Sequence, residues 1–109
     1  MKEIKAIIRP DRLPGVLHAL HAMPDLPGVT ISTVRGVGRR SPPEAGEQAF
    51  DQVEMTKIEI VVSAAIADDV VRAIERAAHT GRVGDGKIFV ISVEHAVKIR
   101  SGEHDVIAL

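Results

Sequence analysis

Met55–Gly81 reads MTKIEIVVSAAIADDVVRAIERAAHTG, and its hydrophobic period changes partway along. Over Met55–Ser63, Ile58, Ile60, Val61 and Val62 sit beside Lys57 and Glu59. That is a short branched run of strand type. From Ala67 to His79, Val70, Val71, Ile74, Ala77 and Ala78 recur at helical spacing and predict one buried helix face. Asp68 and Asp69 suit the positive N-terminal end of that helix, and Gly81 suits its C-terminal cap. A strand running straight into an amphipathic helix is half of a β-α-β unit, so the fold is decided by what flanks it.

On the C-terminal side, a glycine-rich turn over Thr80–Gly86 leads to a strand at Lys87–Ser92. Val93–Val97 reads as a short helical turn, Lys98–Arg100 as a last extended piece, and residues 101–109 as a polar tail ending in Val106, Ile107 and Leu109. On the N-terminal side, Lys2–Arg9 is a strand closed by Pro10. Asp11 is placed to cap a helix striped by Leu13, Val16, Leu17 and Leu20, with Pro14 in its first turn, where a missing N–H costs least. Pro24 and Pro27 stop it, and Val29–Val37 is the next strand. Gly38–Glu54 carries Ser41, Pro42, Pro43 and Gly46 with little apolar periodicity, so the expectation there is a long exposed loop. The order β-α-β-β-α-β over residues 1–109 predicts a single α+β domain of ferredoxin-like type. Such a domain has one antiparallel four-stranded sheet with two helices on one face. Its bare face would expose aliphatic side chains, which copies of the same chain can cover, so a homo-oligomer is expected.

Composition removes several classes of function. The chain has 109 residues, with 14 Lys+Arg against 15 Asp+Glu, a formal charge of -1. Near neutrality gives no general attraction to nucleic acid or anionic lipid. Cysteine is absent, which excludes disulfides, thiolate metal sites and cysteine nucleophiles. Phe50 and Phe89 are the only aromatics, too few for a base-stacking platform. No signal-like or spanning segment is visible, so the reading is a soluble, cytoplasmic protein without membrane insertion.

The strongest chemical signal is Thr80-Gly81-Arg82-Val83-Gly84-Asp85-Gly86-Lys87. Closely spaced glycines let several backbone N–H groups turn toward one point, the arrangement that binds anions. Arg82 and Lys87 add charge beside it, and the Gly-Lys-Ser/Thr of a Walker loop is missing. Two more basic groups lie elsewhere: Lys98 with Arg100, and Arg35, Arg39 and Arg40 among Gly36 and Gly38. If these meet in space they form a polyphosphate site without overall basicity. His18 and His21, three residues apart on the first helix, are the candidate metal pair, but no carboxylate at helical spacing completes a site, and no metal residue is assigned. No nucleophile–base spacing stands out, so no catalytic residue is assigned and an enzyme is not expected.

The run Gly84-Asp85-Gly86-Lys87-Ile88-Phe89, preceded by Thr80-Gly81-Arg82, closely resembles a signature of the PII nitrogen-regulatory signalling proteins. Lys5–Pro10, Val34–Arg39, Lys57–Val62 and Ile99–Glu103 resemble that family in order and spacing. The resemblance implies a homotrimer that binds ATP, ADP or AMP in clefts between subunits. It also implies a loop, here Gly38–Glu54, that grips a target transporter or enzyme. Carried over by position, Ile7, Gly36, Val37, Gly38 and Arg39 line one side of the cleft, and Thr30 and Val61 contact adenine. Gly84, Gly86 and Lys87 hold phosphates, and Lys98 and Arg100 reach in from across the cleft. This chain departs from the family at three points. Its loop is shorter and has no tyrosine, Met55 replaces a loop-base lysine, and Arg40 replaces a glutamine that helps hold magnesium and 2-oxoglutarate. A guanidinium cannot ligate a cation, so magnesium and 2-oxoglutarate are not expected here; loss of the lysine favours ADP or AMP over ATP, an effect that the Arg40 charge would partly offset. The alternative is a trimeric metal-binding or metal-efflux-associated protein resembling the CutA family, which shares the fold.

Overall fold

A computed structural model describes residues 1–39 and 50–109. Strand β1 (Lys2–Ile8) leads through a 3-10 turn at Pro10–Arg12 into helix α1 (Leu13–His21). Strands β2 (Thr30–Arg39) and β3 (Phe50–Val62) follow, then helix α2 (Ala64–Ala78) and strand β4 (Gly86–Ser92). The four strands form one sheet in the order β2-β3-β1-β4, every neighbouring pair antiparallel. This is the expected ferredoxin-like arrangement.

Alternation along the strands decides which side chains are buried. Ile4 faces Ile60 on one side and Val90 on the other, while Ala6 faces Ile58 and Ile88. Side chains in register share a face. That face meets Val16 and Leu20 of α1 and Val70 and Ile74 of α2, all fully buried or nearly so. The opposite face presents Glu3, Lys5 and Ile7 of β1, Lys57, Glu59 and Val61 of β3, and Lys87, Phe89 and Ile91 of β4. Both helices lie on the first face, so Phe89 and Ile91 keep 46% and 40% of their surface exposed. The face is thus mixed, five charged residues beside Ile7, Val61, Phe89 and Ile91, and association that covered its apolar members would be stabilising.

Several boundaries differ from the sequence reading. The β2–β3 pairing continues past Ile8, the last paired residue of β1, as far as Arg39 opposite Phe50. Residues 38–39 and 50–54, expected as loop, are therefore strand. Residues 40–49 of that expected loop, Arg40 included, lie outside the described residues. The extra pairing is carried by backbone hydrogen bonds between the strands, which need no apolar pattern. Asp11 does not cap α1: the N-cap is Arg12, without a side-chain hydrogen bond, because the 3-10 turn already continues the chain into the helix. Helix α2 starts at Ala64, after an extended Ser63, since small alanines extend the helix without adding to its apolar face. Val93–Val97 is not helical. Val93 donates instead to the Met1 carbonyl at 3.1 Å, and Val97 bridges His104. Lys98–Arg100 is not extended either: Gly102 donates to the Lys98 carbonyl and Lys98 to that of Glu103, each at 2.8 Å, closing a tight turn. The tail continues into a 3-10 helix at Asp105–Ala108.

Candidate functional site

The Thr80–Gly86 loop joins the end of α2 to β4, and three of its glycines turn with positive φ: Gly81 (84°), Gly84 (96°) and Gly86 (99°). An L side chain is strained in that region, so glycine permits the turn. Asp85 holds the loop together. One carboxylate oxygen accepts from the backbone N–H groups of Thr80 at 2.8 Å and Gly81 at 2.9 Å. The other accepts from the Thr80 hydroxyl and from Arg9 Nε at 2.9 Å. Arg9 also donates from Nη2 to the Val83 carbonyl at 2.6 Å, tying the loop to the end of β1. Led by the Thr80 hydroxyl and backbone, these donors hold the Asp85 carboxyl far below its ordinary pKa. It is an anion throughout the working pH range.

The loop forms one wall of a groove of about 590 Å³. Six residues singled out in the sequence line it: Ile7, Gly36, Val37, Gly84, Gly86 and Lys87. Arg82 and Met55, also noted in the sequence, line it too, and the structure adds Asp85, Val53 and Phe89. Val53 and Met55 arrive through register, since they lie opposite Gly36 and Val34. The groove therefore sets glycine backbone and two cations against an apolar wall of Ile7, Val37, Val53, Met55 and Phe89. That combination suits a ligand with a flat apolar body and an anionic tail. Gly38 and Arg39 continue β2 away from the groove, opposite Asp51 and Phe50.

The other four predicted residues are elsewhere. Val61 is four positions along β3 from Lys57, the partner of Ile7, a separation of about 13 Å. Thr30 faces Glu59, beside Val61 on the same sheet face. Lys98 and Arg100 follow the Val93–Met1 bond, which is at that same far end. Arg100 is exposed and Lys98 half-buried. Within the chain, Thr30 and Val61 thus lie away from the groove, toward the other end of the sheet.

Beside Thr30 and Val61, Glu3 and Glu59 share a hydrogen bond that raises the pKa of Glu3 and lowers that of Glu59. Lys57 lies 3.4 Å from Glu59 and adds to its ionisation. His18 and His21 border a separate depression with Asp25 and Leu26. No group of three or more His, Cys, Asp or Glu able to hold a metal ion occurs among the described residues. No helix of the described residues is long and apolar enough to cross a membrane.

Fold and groove together define a ferredoxin-like α+β chain with a glycine-rich loop beside a groove at a sheet end. The family model "Nitrogen regulatory protein P-II" matches residues 1–103. A nitrogen regulatory protein P-II of Rhodospirillum rubrum is 42% identical over 107 residues, covering 94% of this chain and 95% of the relative. Nitrogen regulatory protein P-II 2 of Methanothermobacter thermautotrophicus is 45% identical over 107 residues, covering 94% and 92%. Nitrogen regulatory protein P-II 1 of Escherichia coli is 42% identical over 113 aligned positions, covering both chains fully. The chain belongs to the nitrogen regulatory protein P-II family, whose members are signal-transduction regulators.

Proposed function

We propose that this protein is a non-enzymatic regulator, cytoplasmic and homotrimeric, that binds ATP, ADP or AMP in the clefts between its subunits. Binding biases the segment joining β2 to β3, through which the trimer controls a transporter or enzyme. The observation that carries this reading is the division of the site. Ile7, Gly36, Val37, Gly84, Gly86 and Lys87 line a groove at one end of the sheet, while Thr30 and Val61 lie toward the other end, where Val93 is tied to Met1 ahead of Lys98 and Arg100. A head-to-tail ring brings the first end of one protomer against the second end of the next. The base then lies by Thr30 and Val61, and the phosphates lie between the glycine loop and the cations of both chains. Gly38 and Arg39, leaving the groove along β2, make the connection from ligand to target-binding segment.

Met55 shapes the nucleotide preference. Its side chain, only 8% exposed, contributes a neutral thioether to the groove wall. A terminal phosphate therefore gains no cation at this position, which favours ADP or AMP over ATP. Magnesium and 2-oxoglutarate are not part of the proposal.

The test is calorimetric titration with ATP, ADP and AMP, with Lys87→Ala and Arg100→Ala as controls. Saturable binding that either substitution weakens at least tenfold supports the reading. No binding of any of the three nucleotides at millimolar ligand rejects it.

A further inference from the structure

Among the described residues lining the groove, Asp85 is the only acid. A carboxylate beside a phosphate chain is unfavourable unless its charge is balanced, because like charges repel strongly in a partly desolvated cleft. Asp85 is 22% exposed and accepts from Thr80 N, Gly81 N, the Thr80 hydroxyl and Arg9 Nε. Arg9 brings the only full charge among these four donors. It is not one of the side chains lining the groove, since its guanidinium turns to Asp85 and to the Val83 carbonyl. His79, 72% exposed, has Nδ1 4.0 Å from Asp85, too far for a hydrogen bond.

We propose that Arg9 is a positioning residue for the anionic part of the ligand: it neutralises Asp85 and clamps Val83, so the glycine loop keeps its groove-lining shape without repelling phosphate. Arg9 acts through Asp85 and does not touch the ligand. This rests on the nucleotide reading above and deepens it. Each added phosphate charge depends more strongly on the balance, so loss of Arg9 penalises ATP more than ADP, and ADP more than AMP.

The experiment compares the assembled protein with Arg9→Gln, Arg9→Lys and the double variant Arg9→Gln/Asp85→Asn. Affinities for AMP, ADP and ATP are measured by calorimetry at low and high salt, and thermal unfolding of each variant is followed in parallel. Arg9→Gln is expected to weaken ATP about tenfold and AMP far less, with the gap narrowing in high salt. Arg9→Lys keeps the AMP:ATP ratio of the unmodified protein, because it keeps the charge. The double variant recovers most of the ATP affinity, because no unbalanced charge remains. Unchanged ATP affinity in Arg9→Gln, an equal loss for all three nucleotides, or a double variant no better than Arg9→Gln overturns the proposal. If Arg9→Gln does not assemble, Asp85→Asn alone decides. Released from its partner, Arg9 then shifts preference toward ATP, and a shift toward AMP or no shift overturns the proposal. No nucleotide binding by the unmodified protein overturns the underlying reading as well. Binding by the unmodified protein with the wrong variant pattern overturns this inference alone.

Discussion

Gly86 lies directly against the backbone of Ile7: a Cβ on Gly86 would fall 1.7 Å from the Ile7 carbonyl oxygen and 2.8 Å from its carbonyl carbon. The φ of Gly86 is 99°, which an L side chain also resists. The clash is with backbone, so no rotamer change relieves it. Gly86→Ala is therefore expected to destabilise the fold by roughly 3 kcal/mol or more. Gly102 offers the control, with φ of 74° but nothing within 4 Å of the point a Cβ would occupy. Its replacement by Ala should cost about 1 kcal/mol. Urea unfolding of the two variants checks this, and equal losses would show that the Gly86–Ile7 contact is unimportant.

Acid should weaken the fold through Asp85. Its folded pKa lies below the ordinary 3.8, so the unfolded chain binds this proton more tightly. The stabilisation is complete above the unfolded value and is lost as pH falls toward the folded one. Unfolding free energy should decline below about pH 5. Asp85→Asn should start less stable at neutral pH and decline less steeply. Parallel acid profiles for the two proteins would contradict this.

Glu3 has the opposite sign. Its hydrogen bond with Glu59, and then burial, raise its pKa above 4.5. Its contribution is present when the proton is bound and is lost as pH rises through the folded value. Glu3→Gln keeps a donor toward Glu59 and removes the charge. It should raise the thermal midpoint near pH 8 and leave it nearly unchanged near pH 4, where the carboxyl is already protonated. A rise of equal size at both pH values would place the effect elsewhere.

Mixed assemblies test the divided site. Lys87→Ala trimers and Arg100→Ala trimers should each bind nucleotide at least tenfold more weakly than the unmodified protein. Refolded together, every mixed ring contains one cleft in which an intact Lys87 meets an intact Arg100 from the neighbour. Calorimetry should then recover tight binding at one site per mixed ring. A site completed within one protomer would recover none.

The strand and helix types were legible because burial on one face imposes a period. Ile4, Ala6 and Ile8, and Val70 and Ile74, are buried as their spacing implies. The far ends of β2 and β3 were not legible, because Gly38, Asp51, Gln52 and Glu54 have no apolar period and are strand only through pairing. The site divides in the same way. The anion loop could be read from Gly81, Gly84 and Gly86, whose chain reversals are local. Val53 and Phe89 could not, because they reach the groove through cross-strand register. Arg9 could not either, since its partner Asp85 is 76 positions away.

From its amino-acid order alone, this chain was bound to form alternating strands and helices and a glycine-rich reversal before the last strand. These depend on the intrinsic preferences of residues near one another in sequence. Folding alone decided that Arg9 pairs with Asp85, that Val53 enters the groove, and that Thr30 and Val61 lie toward the opposite sheet end. Those relationships are set by register and strand order, which bring together residues that carry no local trace of one another.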